Sequence, residues 1–217
     1  MSEVISCAQI IEMIRRSADN IKANHEMLSK LDSIIGDGDH GAAMLRVANT
    51  IDKAIENTGD TKHVKPLLSE IGWSVMAVDG GSTGPLMGAL FSGMGEAVED
   101  SDTIDGQILS SMFNAALEKV RKLTKAQVGD KTMIDALVPA VDGFNLAIKE
   151  SKSISAALEQ AAEAASEGAE ATKNMQAKFG RAKNLGDRTI GHIDPGAKSI
   201  SLIFQGFCSA LKNDKNL

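Results

Sequence analysis

Three aspartates, Asp32, Asp37 and Asp39, fall within eight residues of the run LDSIIGDGDHG, separated by glycines and followed by His40. Carboxylates held this close repel one another. At ~5 Å and an effective dielectric near 20, each like-charged pair costs about 3 kcal/mol. Such a loop calls for a cation, and oxygen-only ligands on a flexible turn suit a hard divalent ion such as Mg2+. A metal held in this way usually holds phosphate. One carboxylate would suffice to cap the helix that follows, and three exceed that need. The letters GDGDHG satisfy G-x-G-x-x-G, yet a helix precedes them instead of a strand, and two aspartates inside the motif would repel a pyrophosphate. An EF-hand fails too: counted from Asp37, the bidentate position falls on Ala48 and the fifth position is a glycine.

Three further stretches are richer in polar groups than helix connections require. In GGSTG (80–84), paired glycines let the backbone approach an anion, Ser82 and Thr83 offer hydroxyls, and the following helix supplies amide donors. VGDKTM (128–133) brings Lys131, Thr132 and Met133. A methionine at a loop–helix junction can pack on an adenine ring or simply join the core. From Gly180 to Gly196, Arg181 and Arg188 can neutralise phosphate, Asp194 can meet a ribose or base, and His192, like His40, can make polar contacts. There is no G-x-x-x-x-G-K-[ST] loop, and no Ser-His-Asp or Cys-His arrangement stands out.

The elements that must carry these loops are helical. Aromatics make up 3% of the 217 residues and tyrosine is absent, whereas Ala, Leu, Met, Glu and Lys abound. Val4, Ile11, Ile14, Ile21 and Leu28 keep near one face of a long first helix, which the aspartate loop ends. Further helices are predicted over Ala42 to Asn57, Pro66 to about Val78, Pro85 to Glu99, Asp105 to Leu123, Ile134 to Glu150, Ser153 to about Lys178, and Pro195 to Leu211. Eight helices without a convincing strand describe one all-α domain over 1–217. If they run up and down, the loops after the first, third, fifth and seventh share one end. Those are the four polar stretches. A net charge of −6 does not favour a nucleic-acid binder. Cys7 and Cys208 lack metal-ligand spacing and form no disulfide framework. With no signal-peptide pattern at the N-terminus and no membrane-length apolar window, the expected compartment is the cytoplasm.

Taken together and in order, LDSIIGDGDHG, GGSTGPLMG, GDKTMIDAL and GRAKNLGDRTIGHIDPGA resemble the nucleotide-binding L subunits of the dihydroxyacetone kinase family, from about Leu31 to Ser199. The resemblance implies an eight-helix antiparallel barrel with an adenine nucleotide, ADP or ATP, on one rim. Asp32, Asp37 and Asp39 would bind two Mg2+ that bridge the phosphates, and Ser82 and Thr83 would touch phosphate. His40 and Gly41, with Ala42 and Ala43, match the nucleotide-contacting end of the aspartate loop. Thr124 and Met133 fall at the adenine pocket, and Arg181, Asp194, Pro195 and Gly196 match further nucleotide contacts. The chain departs from relatives at Ala43, where many carry asparagine, and at Thr124, where glycine occurs. The acceptor, dihydroxyacetone, would sit on a separate K subunit through a covalent link to a histidine. The nucleotide would either exchange as ATP or be rephosphorylated in place by a phosphohistidine-carrying M-type protein of the phosphotransferase system. Relatives also partner transcriptional regulators. From the residues alone, a kinase for another short ketose, a Mg-dependent phosphatase and a nucleotide-loaded regulatory module stay open.

Overall fold

Ser6 and Gln9 start the first helix. The Ser6 hydroxyl accepts from the Gln9 amide at 3.3 Å, and Gln9 Oε1 accepts from the Ser6 amide at 2.9 Å, a reciprocal capping box. Helix α1 then runs over Cys7–Ile35 in a computed structural model that describes residues 3–59, 63–98 and 103–212. It is followed by α2 (His40–Thr58), α3 (Val64–Met76), α4 (Thr83–Glu96), α5 (Gly106–Leu123), α6 (Ile134–Lys149), α7 (Ile154–Ala171) and α8 (Pro195–Lys212). The Asp105 and Ser153 side chains cap α5 and α7 by accepting from the amides of Ile108 and Ala156. The all-α, eight-helix expectation is borne out, with most described boundaries within two residues. The expected end of the fourth helix at Glu99 lies outside the described residues, as do Met1 and Ser2.

Three local expectations need correction. Val4 does not sit on the buried face of α1: it is 51% exposed and lies in a three-residue strand, β1 (Val4–Ser6). This strand pairs antiparallel with β2 (Thr103–Asp105), placing Ile5 opposite Ile104, both buried. Strands of three residues carry too little alternation to be seen in a sequence. Helix α7 stops at Ala171, well short of Lys178, because long-range partners claim the backbone beyond it. The amide of Ala177 donates to Thr189 Oγ1 and that of Lys178 to the Asp130 carbonyl. The irregular run after it holds short 3-10 turns over Thr172–Asn174 and Arg181–Thr189.

Each helix packs on its sequence neighbours and α8 returns against α1, closing an antiparallel ring. The apolar faces meet in a contiguous core. Where α5, α6 and α8 meet, Phe113 stands edge-on to Phe144 at 4.9 Å between ring centroids and packs on Phe204 and Phe207. Small residues set the closest approaches. Ala157, Ala161, Ala165 and Ala169 line the buried face of α7. A Cβ at Gly206 of α8 would lie 2.4 Å from Ser17 Cα of α1, so this seam of the ring tolerates only hydrogen there. No helix among the described residues is long and apolar enough to cross a membrane.

Gly206→Ala is expected to part α1 from α8 and to lower unfolding free energy by roughly 1–3 kcal/mol. Urea denaturation followed by circular dichroism measures it; an unchanged midpoint would contradict the close approach.

Candidate functional site

The last turn of α1 carries Asp32, and the loop after it carries Asp37 and Asp39. One carboxylate oxygen from each lies within 4.8 Å of the other two. Gly38, at φ +80°, turns the chain between the latter pair in a conformation that side chains resist. Asp39 sits at the N-cap of α2 without making a side-chain capping bond. Asp32 is the one that reaches this helix, its Oδ2 accepting from the His40 amide at 3.2 Å. The triad is therefore not explained by helix capping. Its counter-charge in the structure is Arg181, paired with Asp37 and 3.6 Å from Asp39. All three side chains are well exposed, which makes these pairs weak in water. A set of three carboxylates, with no nitrogen or sulfur donor, fits a hard divalent cation such as Mg2+.

Two more loops close around this end. His40 Nε2 lies 2.9 Å from Ser199 Oγ of α8, and the Ser199 hydroxyl donates to the Pro195 carbonyl at 3.0 Å. The serine oxygen is then the acceptor, which assigns the ring proton to Nε2 and leaves Nδ1 with a lone pair. Burial pulls His40 below its ordinary range, against the opposing pull of the Asp32 carboxylate and the Pro195 carbonyl. On the other side of α2, Gly80 lies against Ala43, so close that a Cβ there would fall 2.7 Å from the alanine methyl. Arg46 Nε donates to the Asp79 carbonyl at 3.0 Å. The GGSTG loop is thus fastened to the helix that the aspartate loop begins. Ser82 is exposed and Thr83 buried at the start of α4, where neither caps through its side chain. Ala43, fully buried in this seam, leaves little room for a larger residue.

The loop between α5 and α6 joins through buried charge. Asp135, 1% exposed, accepts from the Gly129 amide at 2.6 Å and the Thr132 amide at 2.7 Å. Lys131 Nζ donates to the carbonyls of Thr172, at 2.6 Å, and His192. Met133 is buried and close to Gly196, whose Cβ would lie 3.6 Å from that of Met133. Asp194 caps α8, its Oδ2 accepting from the Ala197 amide at 2.7 Å, while its own amide donates to Thr172 Oγ1. Burial pushes the Asp194 carboxyl up to about 7; the Ala197 amide and the Lys131 ammonium pull it down, while Asp135 and Asp32 add to the rise. Thr124 ends α5 and borders a cavity of about 510 Å3, whose wall also includes Arg121, Ala126, Val128 and Ile134. Among the described residues, no hydrogen bond or ion pair joins Ser82, Thr83 or Thr124 to the three aspartates.

The sequence reading did not find Ser199, Thr172, Asp135 or Lys178, which hold the candidate side chains without displaying any chemistry of their own. Of these only Asp135 had a signal: Thr132-x-x-Asp135 is the spacing of a capping box.

An eight-helix ring with a carboxylate triad at the end of its first helix defines a class of protein, and comparison places the chain in it. The DAK2 domain family matches residues 34–209, and the chain belongs to that family. Within it, the chain is 35% identical over 208 residues to the ADP-binding subunit DhaL of the PEP-dependent dihydroxyacetone kinase of Escherichia coli (strain K12), covering 96% of this chain and 99% of that one. It is 37% identical over 196 residues to the ADP-binding subunit DhaL of the PTS-dependent dihydroxyacetone kinase of Lactococcus lactis subsp. lactis (strain IL1403), covering 90% and 93%. The crystal structure of the dihydroxyacetone kinase from C. freundii in complex with AMP-PNP and Mg2+ aligns with a TM-score of 0.71 at 25% identity, over 96% of this chain and 35% of that one. The chain thus spans about a third of that longer kinase.

The raised Asp194 carboxyl has a pH signature. Unfolded, it ionises near 3.8; folded, near 7. Between those values the folded protein keeps a proton that the unfolded chain has lost, so this group lowers stability as pH rises from about 4 to 7 and adds nothing further above that. Asp194→Asn keeps the cap and removes the titration. Its stability relative to wild type is expected to climb across that window, by on the order of 4 kcal/mol, and then level off. Urea titrations at a series of pH values measure this, and a flat difference would contradict it.

Proposed function

We propose that the chain is the ADP-binding subunit of a dihydroxyacetone kinase, a cytoplasmic phosphotransferase component that carries a phosphoryl group on a Mg-nucleotide to an acceptor held by a partner. The observation that carries this reading is the convergence of the aspartate triad, Arg181 and the Asp194–Gly196 turn on one end of the ring, in a chain of this family. Support for the ligand comes from relatives named as ADP-binding subunits and from a related structure described with AMP-PNP and Mg2+.

Bound Mg2+ would supply charge neutralisation on the β- and γ-phosphates, which is most of what phosphoryl transfer through a loose transition state needs. Asp32, Asp37 and Asp39 would hold the metal, two ions in our reading. Arg181, already seated among these carboxylates, offers its planar fork to phosphate oxygens. Ser82 and Thr83, with the first amides of α4, would offer the phosphates donors, the Ser82 side chain not being consumed in capping. Thr124 and Met133 bound the base, while His40 through Ala43 and Asp194 through Gly196 complete the nucleotide contacts. No residue of this chain is assigned as general base. The acceptor hydroxyl arrives on a K subunit, and that division makes the chain a donor and not a complete catalyst. The names PEP-dependent and PTS-dependent among its relatives favour recharging of bound ADP by a phosphohistidine protein of M type over exchange with ATP.

Asp37→Ala and Asp39→Ala are each expected to weaken Mg·ADP binding more than about a hundredfold, as lost charge-assisted metal ligation implies, with the helical circular dichroism spectrum retained. Calorimetry with Mg·ADP, repeated after chelation of the metal, reads the effect; wild-type affinity in either variant rejects the triad as the metal site. A second measurement addresses the phosphoryl source. Purified protein is expected to retain ADP through dialysis, detected by chromatography of the denatured sample, whereas nucleotide-free protein that readily exchanges ATP would point to the other mode.

A further inference from the structure

Asp37 is followed by Gly38, and the chain has three more Asp–Gly pairs, at 79–80, 105–106 and 142–143. An aspartyl side chain can be attacked by the backbone nitrogen of the next residue, and a glycine there has no side chain to obstruct the approach. The reaction needs a peptide free to rotate and a carboxylate free to meet it. Three of the pairs lack that freedom. Asp142–Gly143 lies inside α6, where the helical backbone is committed. The Asp105 carboxylate accepts from the Ile108 amide, and Asp105 pairs with Val4 across the two strands. The Asp79 carbonyl accepts from Arg46 Nε at 3.0 Å and that of Gly80 from the Thr83 amide at 3.1 Å, with Gly80 held against Ala43. At the fourth pair, no backbone group of Asp37 or Gly38 makes a hydrogen bond among the described residues. Gly38 sits at φ +80°, and the Asp37 side chain, 41% exposed, is ion-paired with Arg181, which is itself exposed and holds it weakly.

We propose that Asp37–Gly38 is a self-modification site, open while the triad is without metal and shut when metal is held. The Gly38 nitrogen bonds to Asp37 Cγ and gives up its proton. One carboxylate oxygen leaves as water, carrying that proton and one taken from solvent, and a five-membered succinimide remains. Water then adds at the main-chain carbonyl of Asp37 and the C–N bond there breaks, returning the solvent proton and leaving isoaspartate. No oxidant or reductant takes part, and the mass is unchanged overall. The backbone now runs through the side-chain methylene, and the carboxylate at position 37 sits directly on Cα. The loop is longer by one methylene and the ligand shorter by one, so position 37 drops out of the triad. A carboxylate oxygen shared with a divalent cation is not free to leave as water. The proposal rests on the metal–nucleotide reading above and deepens it: the unloaded protein decays into a form that cannot be reloaded.

Ageing of the full chain at neutral pH and physiological temperature tests it, once stripped with a chelator and once with Mg·ADP. Trypsin releases residues 31–46 as one peptide, whose isoaspartyl form is separated by chromatography and located by electron-transfer fragmentation. In stripped protein isoaspartate is expected at Asp37 ahead of the other three Asp–Gly pairs. Mg·ADP at about ten times its Kd is expected to slow it about tenfold, because only the empty state reacts. Calorimetry on the aged stripped sample, after metal is restored, is expected to show binding stoichiometry falling in step with the isoaspartate fraction. Absence of isoaspartate at Asp37, equal accumulation at Asp79, or a rate unchanged by Mg·ADP that calorimetry shows to be bound overturns the proposal while the nucleotide reading stands. Fresh protein that binds no Mg·ADP removes the nucleotide reading, and this one with it.

Discussion

Because each helix of the ring runs against its neighbour, successive loops fall at opposite ends, and the loops after α1, α3, α5 and α7 have no choice but to gather. Closure of α8 on α1 completes that constraint by bringing Ser199 under His40 and the Asp194 turn beside the loop before α6. Nothing in the chemistry of Asp32 requires Met133, more than a hundred residues along, to be nearby; the alternation of direction does. The polar stretches are therefore positioned by packing elsewhere, by alanines and glycines that let helices touch and by a phenylalanine cluster between α5, α6 and α8.

At the gathered end, charge is arranged in two layers with different solvent. The outer layer is wet: Asp37, Asp39 and Arg181 are half-exposed, and their mutual attraction is screened and easily exchanged for a better partner. The inner layer is drier: Lys131 and Asp135 are buried and Asp194 is partly so. Lys131, Asp135 and Asp194 lie beneath the loops, where burial shifts Lys131 down and Asp194 up from their ordinary ranges. A screened outer layer suits ligands that come and go, and a drier one suits parts that must not move.

Much of this was legible in the residues. Helical periodicity gave eight elements, and the spacing of three aspartates foretold a carboxylate cluster, which the structure forms. The end of α7 was not legible, because its alanine-rich pattern continues while the backbone beyond Ala171 bonds to Asp130 and Thr189, partners that no local pattern reveals. The paired strands were too short to register. Lys131 stood out only as one polar residue of VGDKTM, since its burial and left-handed backbone are products of the tertiary fold. The ordered set of LDSIIGDGDHG, GGSTGPLMG, GDKTMIDAL and GRAKNLGDRTIGHIDPGA, by contrast, carried the resemblance, and family membership follows from the DAK2 match over residues 34–209.

The small β1–β2 pair has a mechanical consequence. It leads into α1 on one strand and α5 on the other, helices four apart in the ring, and its buried Ile5 and Ile104 pin it to the core. A strap across that mouth resists ovalisation of the cylinder there, while the mouth bearing the aspartates has side-chain ties but, among the described residues, no paired strands. The two ends are consequently held by different means, backbone pairing at one and side-chain hydrogen bonds at the other.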